Sequence, residues 1–204
     1  MYIPSHFKED SVEKAYEIID QYGFATLVSP HVSVTEDMPY VTHLPFLRDG
    51  NVLLGHLARP NKHWKRFDNE VAHTVIFQGA HGYISPRWYQ NEDQVPTWAY
   101  ATVHVTGVIQ LIEEMDEINS LMEKISAQYE GAAGWKPSKV DPKKYEALKR
   151  GIVCFKMEMS DIQCKLKLNQ NKSELDQNSV LSVLKEQGTE PALVQEISNL
   201  MASN

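Results

Sequence analysis

The stretch GHLARPNKHWKRF, residues 55–67, gathers Arg59, Asn61, Lys62, Lys65 and Arg66 where the chain leaves an apolar run and turns polar. Residues 1–130 hold 9 Lys and Arg against 18 Asp and Glu, so the cluster stands out against an acidic background. Guanidinium, ammonium and carboxamide groups are the donors a phosphate needs. Pro60 suits the first turn of a helix, whose free amides would add to them. The same pattern also suits a charged amphipathic turn anchored in the core by Trp64 and Phe67, and spacing alone leaves both readings open. A second stretch, HGYISPRWYQNEDQVPTWAYATVHVTG at 81–107, sets Trp88, Tyr89, Trp98 and Tyr100 around a polar, acidic insert. Such a rim can stack on a planar ring, with Arg87 and Thr97 making polar contacts, or it can close the end of a barrel.

A phosphate clamp and an aromatic rim together point to a phosphorylated flat cofactor, and FMN meets both needs. The clamp lacks the glycines of a P-loop or a dinucleotide fingerprint, which disfavours nucleoside triphosphates. His43, His56, His63, His73, His81 and His104 are scattered without ligand spacing, so no metal site is expected. Neither Cys154 nor Cys164 sits in a hydrolase-like context, and no GxSxG is present, so no catalytic nucleophile or base is assigned.

The elements that must position these residues can be read from periodicity. Residues 10–22 carry Val12, Ala15, Tyr16, Ile19 and Tyr22 on one helical face, with Asp10 or Ser11 as cap. FATLVS (24–29) reads as a strand, PYVTHLPFL and NVLLGHL as a hairpin about Asp49-Gly50, and HTVIFQG (73–79) as a further strand. Pro45 calls for an edge position or a bulge. Ala101, Val103, Val105, Gly107 and Ile109 alternate inward along the best-patterned strand. Helices are expected over 113–129 and from Pro142 to Arg150, and a loop at GAAGWKP. GIVCFKMEMS and IQCKLKL read as another hairpin, and 174–187 and 190–202 as two terminal helices. No βαβ spacing and no internal repeat occur, so an antiparallel sheet or small barrel with peripheral helices is expected.

The 204 residues suffice for one domain with an appendage, and 42% hydrophobic with 23% charged residues is the balance of a soluble globular protein. No run reaches membrane-spanning length and MYIPSHFKED lacks a signal-peptide core, so the expectation is a cytoplasmic protein without membrane contact. Net charge is -7, yet residues 131–172 hold 10 Lys and Arg against 4 Asp and Glu, a balance that suits phosphates, an acidic partner or a solvated helix. The terminal helices carry 1 basic and 5 acidic residues, which suits a protein partner or self-association through Leu181, Leu184, Leu193, Ile197 and Leu200 better than DNA.

MYIP at the start, PYVTHLPFL, GHLARPNKHW, IFQGAHGYISPRWY, VPTWAYATVHVTG and KLNQNKSELD occur in the order seen in PaiB-like proteins. Across nearly the whole chain the sequence resembles that family, the FMN-binding negative transcriptional regulators. The resemblance implies an α+β, mainly β fold: an FMN-binding split β-barrel related to pyridoxamine phosphate oxidases and flavin reductases, with peripheral helices and a C-terminal helical pair. Residues 1–172 would form the flavin-binding domain and 173–204 the helical appendage. It further implies a homodimer with FMN at the subunit interface. The phosphate would be held by Tyr40, Thr42 and His43 on one strand and by Arg59, Asn61 and Lys62 after the next, with Trp98 and His104 lining the flavin cleft. Residues 97–100 read TWAY where TWNY is more typical, which places Ala99 at a position where other members carry an amide. The implied role is negative control of degradative-enzyme production and sporulation, exerted through DNA or a transcription-related partner. A flavin-dependent oxidoreductase and a haem-handling split barrel are the alternatives.

Overall fold

The computed structural model describes residues 1–30, 38–68, 70–91, 93–131, 134–188 and 190–202. Eight strands and five α-helices follow one another as β1 (Lys8–Glu9), α1 (Val12–Gln21), β2 (Phe24–Ser29), β3 (Tyr40–Pro45), β4 (Leu47–Asp49), β5 (Val52–Ala58), β6 (Ala72–Ile84), β7 (Thr97–Ile112), α2 (Met115–Glu130), α3 (Pro142–Arg150), β8 (Ile152–Lys167), α4 (Glu174–Gln187) and α5 (Pro191–Ala202). The sheet order is β3-β2-β6-β7-β8-β5-β4, with β1 on the distal part of β8. The pairings β2–β3, β2–β6, β4–β5 and β5–β8 are antiparallel, and among the described residues strand pairing does not close the path from β4 back to β3. This is the mainly antiparallel α+β architecture expected. No helix among the described residues is long and apolar enough to cross a membrane.

The chain divides into two compact units, with β6, β7 and β8 each contributing one end to each. Unit 1 comprises Met1–Tyr22, Phe77–His104 and Ile162–Asn204. There α1 starts at Ser11, whose Oγ accepts from the Lys14 amide at 3.2 Å, and turns Ala15, Ile18 and Ile19 inward. At the start of α4 the Ser173 hydroxyl both accepts from the Asp176 amide and donates to its carboxylate. The expected partner faces of the terminal helices are occupied within this unit: Leu181, Leu184, Leu193 and Ile197 are buried and Leu200 is half-buried. A strip that fills its own core is not a free docking surface.

Unit 2 comprises Gly23–Ile76 and Val105–Asp161. Two hairpin expectations are revised. The strand before Asp49-Gly50 breaks at Phe46, so Tyr40–Pro45 pairs with β2 while only Leu47–Asp49 returns along β5. Proline at 45 cannot donate to a second neighbour, and β3 accordingly lies at the sheet edge. Gly50 supplies the φ of +61 that the remaining tight turn needs. The second expected hairpin, over 152–167, is instead one continuous strand. Ser160-Asp161 has no glycine or proline to turn the chain, and the buried side passes from Val153, Phe155, Met157 and Met159 to Cys164 and Leu166. In the loop expected at 131–137, residues 132 and 133 lie outside those described.

Helix α2 covers a cluster of Leu54, Ile112, Leu121 and Cys154, with Ile118, Met122 and Ile125 partly buried beside them. Met115, the first residue of the helix, is exposed. Gly107 on β7 approaches β8 so closely that a Cβ would lie 1.9 Å from the Glu158 carbonyl oxygen. Gly107→Ala should therefore cost at least about 2–3 kcal/mol through displaced backbone. A lowered urea midpoint at unchanged m-value checks this, and a midpoint equal to wild type would show that the two strands can separate freely.

Candidate functional site

Strand alternation in unit 2 points Ala25, Leu27 and Ser29 of β2 inward, and His73 and Val75 of β6 likewise. Ser29 and His73 are thereby carried into the core, at 0% and 1% exposure. A buried hydroxyl or imidazole needs a hydrogen-bond partner. The Ser29 hydroxyl lies 2.6 Å from His73 Nδ1 and 2.7 Å from Nε2 of His63, itself fully buried. On its other side, His63 Nδ1 is 2.8 Å from the Thr42 hydroxyl of β3, which also accepts from Asn61 Nδ2 at 3.3 Å. The result is a linear chain, His73–Ser29–His63–Thr42, running from the core to the sheet edge. Phe67 packs against both imidazoles and Phe155, and the Tyr40 ring lies 4.6 Å from His63.

GHLARPNKHW does not open a long helix. Lys62–Arg66 forms a five-residue 3₁₀ turn, and the Asn61 side chain caps it by accepting from the His63 amide at 3.0 Å. So short a segment has little dipole, and side chains must supply anion donors here. Arg59, expected among the phosphate donors, is bonded to backbone. Its Nε and a terminal nitrogen donate to the carbonyls of Arg150 and Ile152 at 2.7 and 2.8 Å, and its amide to Gly151 at 2.8 Å. It ties the β5 exit to the start of β8. Trp64 reinforces that corner, donating from Nε1 to the Arg59 carbonyl. Thr42, Asn61 and Tyr40 are gathered around His63, while Lys62 is exposed and has no ion-pair partner among the described residues. His43 is exposed on the opposite face of β3 from Leu44, with Nδ1 2.9 Å from the Thr26 hydroxyl.

Trp98 and His104 belong to unit 1. Trp98 is 49% exposed and nearly parallel to His81, with centroids 5.9 Å apart, and Tyr83 contacts both Trp98 and Trp88. The Lys167 ammonium fixes the start of this strand by donating to the Trp98 carbonyl at 2.7 Å and to the Thr97 hydroxyl. His104 is half-buried and held below the ordinary histidine range, by burial first. The rim differs in membership from the one expected. Tyr89 is buried, donates to Asn169 Oδ1 at 3.2 Å and lies under the Lys172 ammonium. The amides of Gln90 and Asn91 donate to Asp176, so KLNQNKSELD pins the rim loop. Ala99 points into the core, where a larger amide would have to be packed and not offered to a cofactor. The exposed aromatics are His81, Tyr83 and Trp98, with Trp88 half-buried.

The donor set fits the phosphate of a flavin mononucleotide: Thr42, Asn61 and Lys62 supply two neutral donors and a cation at one edge of unit 2. The exposed Trp98 row separately offers the flat apolar surface that a ring stacks on. A family model described as "Putative FMN-binding domain" matches residues 1–161. The "Protease synthase and sporulation protein PAI 2" of Bacillus subtilis (strain 168) is 34% identical over 98% of this chain and 96% of its own length. The chain belongs to the PaiB family of FMN-binding-domain proteins. Solved structures share the fold at low identity. The flavocytochrome Anf3 of Azotobacter vinelandii has a TM-score of 0.64 at 13% identity, over 81% of this chain and 72% of its own. The FAD and heme binding protein of Mycobacterium smegmatis has a TM-score of 0.60 at 14% identity, over 78% and 73%. The split-barrel fold and FMN as the family's cofactor accord with the reading from sequence.

Among the described residues no group of three or more His, Cys, Asp and Glu side chains has metal-holding geometry. Burial, and then the neighbouring His73, push the His63 imidazole from 6.5 down to about 4. His73 is lowered by burial against an opposing pull from Asp68. Both rings are thus neutral in the folded protein at physiological pH. Unfolding frees them to take up protons, so their contribution to stability is complete above pH 6.5 and is lost as pH falls from 6.5 toward 4. For His63 the loss amounts to about 3 kcal/mol. Urea unfolding at stepped pH should show a steeper acid loss in wild type than in His63→Gln, and parallel curves would contradict a neutral buried His63.

Proposed function

We propose that this chain is an FMN-responsive regulator of the PaiB type. In this reading it acts in the cytosol as a homodimer, in the negative control of degradative-enzyme production and sporulation. The observation that carries the reading is the donor edge built on His63. It offers Thr42, Asn61 and Lys62 to an anion, with no carboxylate among their hydrogen-bond and ion-pair partners in the described residues. Thr42 and Asn61 would bind phosphate oxygens and Lys62 would neutralise their charge, each charge-assisted bond contributing about 1.5–3 kcal/mol. The exposed His81, Tyr83 and Trp98 row supports an aromatic surface covered by a flavin or by a second subunit at the dimer interface. FMN, when bound, supplies reversible electron uptake, and the protein's part is to hold it and to present different surfaces to a partner as its state changes.

Regulation is favoured over turnover because His63 and His73, the two histidines of the chain that ends on Thr42, are buried and neutral. A protein partner is favoured over direct DNA binding by the net charge of -7. The 34% identity to the Bacillus subtilis protein over nearly its full length supports carrying the regulatory role across.

FMN fluorescence titration, with light scattering to follow mass, tests this reading. Wild type should bind FMN as a dimer, and the Thr42→Val, Lys62→Ala double variant should bind at least about 100-fold more weakly. Production of secreted protease in a bacillus host should fall on expression of wild type and not of the variant. Equal FMN affinity of the two proteins would overturn the phosphate assignment. Sustained turnover with a nicotinamide reductant and an acceptor, without any effect on protease output, would replace regulation by flavin-dependent oxidoreductase activity.

A further inference from the structure

The direction of the buried hydrogen-bond chain in unit 2 can be derived from its inner end. His73 Nε2 is buried and has no hydrogen-bond partner among the described residues. The Asp68 carboxylate, whose charge acts on His73, accepts from the Glu70 amide at 3.0 Å and makes no hydrogen bond to the ring. A buried N–H without an acceptor is rarer in folded proteins than an acceptor left short of a donor. Nε2 is therefore the bare nitrogen of His73, and its proton is on Nδ1, donating to the Ser29 oxygen. Ser29 then has one hydrogen left to give, and it goes to His63 Nε2. That places the His63 proton on Nδ1, donating to Thr42 Oγ1. Thr42 already accepts from Asn61 Nδ2, so both its lone pairs are occupied. Its own hydrogen must point elsewhere, to a third partner at the half-buried edge of β3.

We infer that Ser29, His63 and His73 are positioning residues: they fix Thr42 as an obligatory hydroxyl donor and so make this edge selective for a group that only accepts hydrogen bonds. An ionised phosphate is such a group, whereas an alcohol or a carboxamide must place its own hydrogens somewhere. The inference rests on the reading that the phosphate of FMN is held at this edge. None of the three positioning residues need touch the ligand. In the reversed direction Thr42 would donate inward to His63, and the edge would lose its outward hydroxyl donor.

The decisive measurement is the ¹⁵N spectrum of the wild-type histidine side chains, without ligand. It should show His63 and His73 both protonated on Nδ1 and bare on Nε2, the form less favoured by free imidazole. An Nε2–H form at His63 overturns the inference whatever the protein binds. The second measurement compares FMN with riboflavin, which ends in a hydroxyl, on wild type, Ser29→Ala and Ser29→Thr. Ser29→Ala should lose about tenfold in FMN affinity and keep its riboflavin affinity, and Ser29→Thr should recover FMN binding. Equal losses for both ligands would mean that Ser29 serves only folding, and would overturn the positioning role. Should wild type bind FMN no better than riboflavin, the phosphate reading itself fails, while the nitrogen spectrum still decides the direction of the chain.

Discussion

Two polar side chains, Ser29 and His73, stand at inward positions of neighbouring strands, and each would cost about 1–3 kcal/mol if buried without a partner. Much of unit 2 can be understood as the consequence. Their mutual bond leaves the Ser29 hydroxyl able to serve one more group, and His63 meets it only because the chain makes a short 3₁₀ turn after β5. That turn is held by Asn61 within and by Trp64 and Arg59 at its base. Once His63 is seated, its second nitrogen faces β3, which orders Thr42 on a strand that has no paired neighbour on its far side among the described residues. A satisfaction requirement in the core thus prepares an unsaturated polar edge at the surface.

Preparation of this kind suits ligand binding, because ordering costs are met on folding rather than on association. It also separates roles that residue type alone would merge. Arg59 carries the charge that a phosphate clamp would use, yet its guanidinium bonds two backbone carbonyls and fixes where β8 begins. Lys62, three residues further on, has no such bond and remains the cation offered to solvent. In unit 1 the same division holds: Tyr89 and Asp176 secure the loop, and Trp98, His81 and Tyr83 present rings outward.

Most of the elements were legible in the sequence because their signals are local. Ser11 before α1, Asp141-Pro142 at α3, and the alternation from Ala101 to Ile109 each specify their own segment. Strand partnership was less legible. The break at Phe46 and the unbroken run through Ser160 depend on which neighbour is available, which hydrophobic period does not encode. The basic cluster and the aromatic stretch were visible as composition, but which members face outward was not. The buried histidines left a signal that period-two reading can reach: Ser29 and His73 fall on the inward parity of β2 and β6, so each demanded a polar partner. His63 carried no such mark, since a residue in a short turn has no parity.

The central claim is that a prepared donor edge, with Thr42 outward and Lys62 beside it, holds an ionised phosphate. The ³¹P spectrum of FMN bound to the protein, followed across pH 5 to 8, tests it most directly. Free FMN passes from monoanion to dianion with a pKa of about 6, in common with other phosphate monoesters. The account predicts a bound resonance that stays at the dianion position throughout that range. A bound phosphate that titrates like the free cofactor would show that the β3 edge leaves it in water, and would contradict the account.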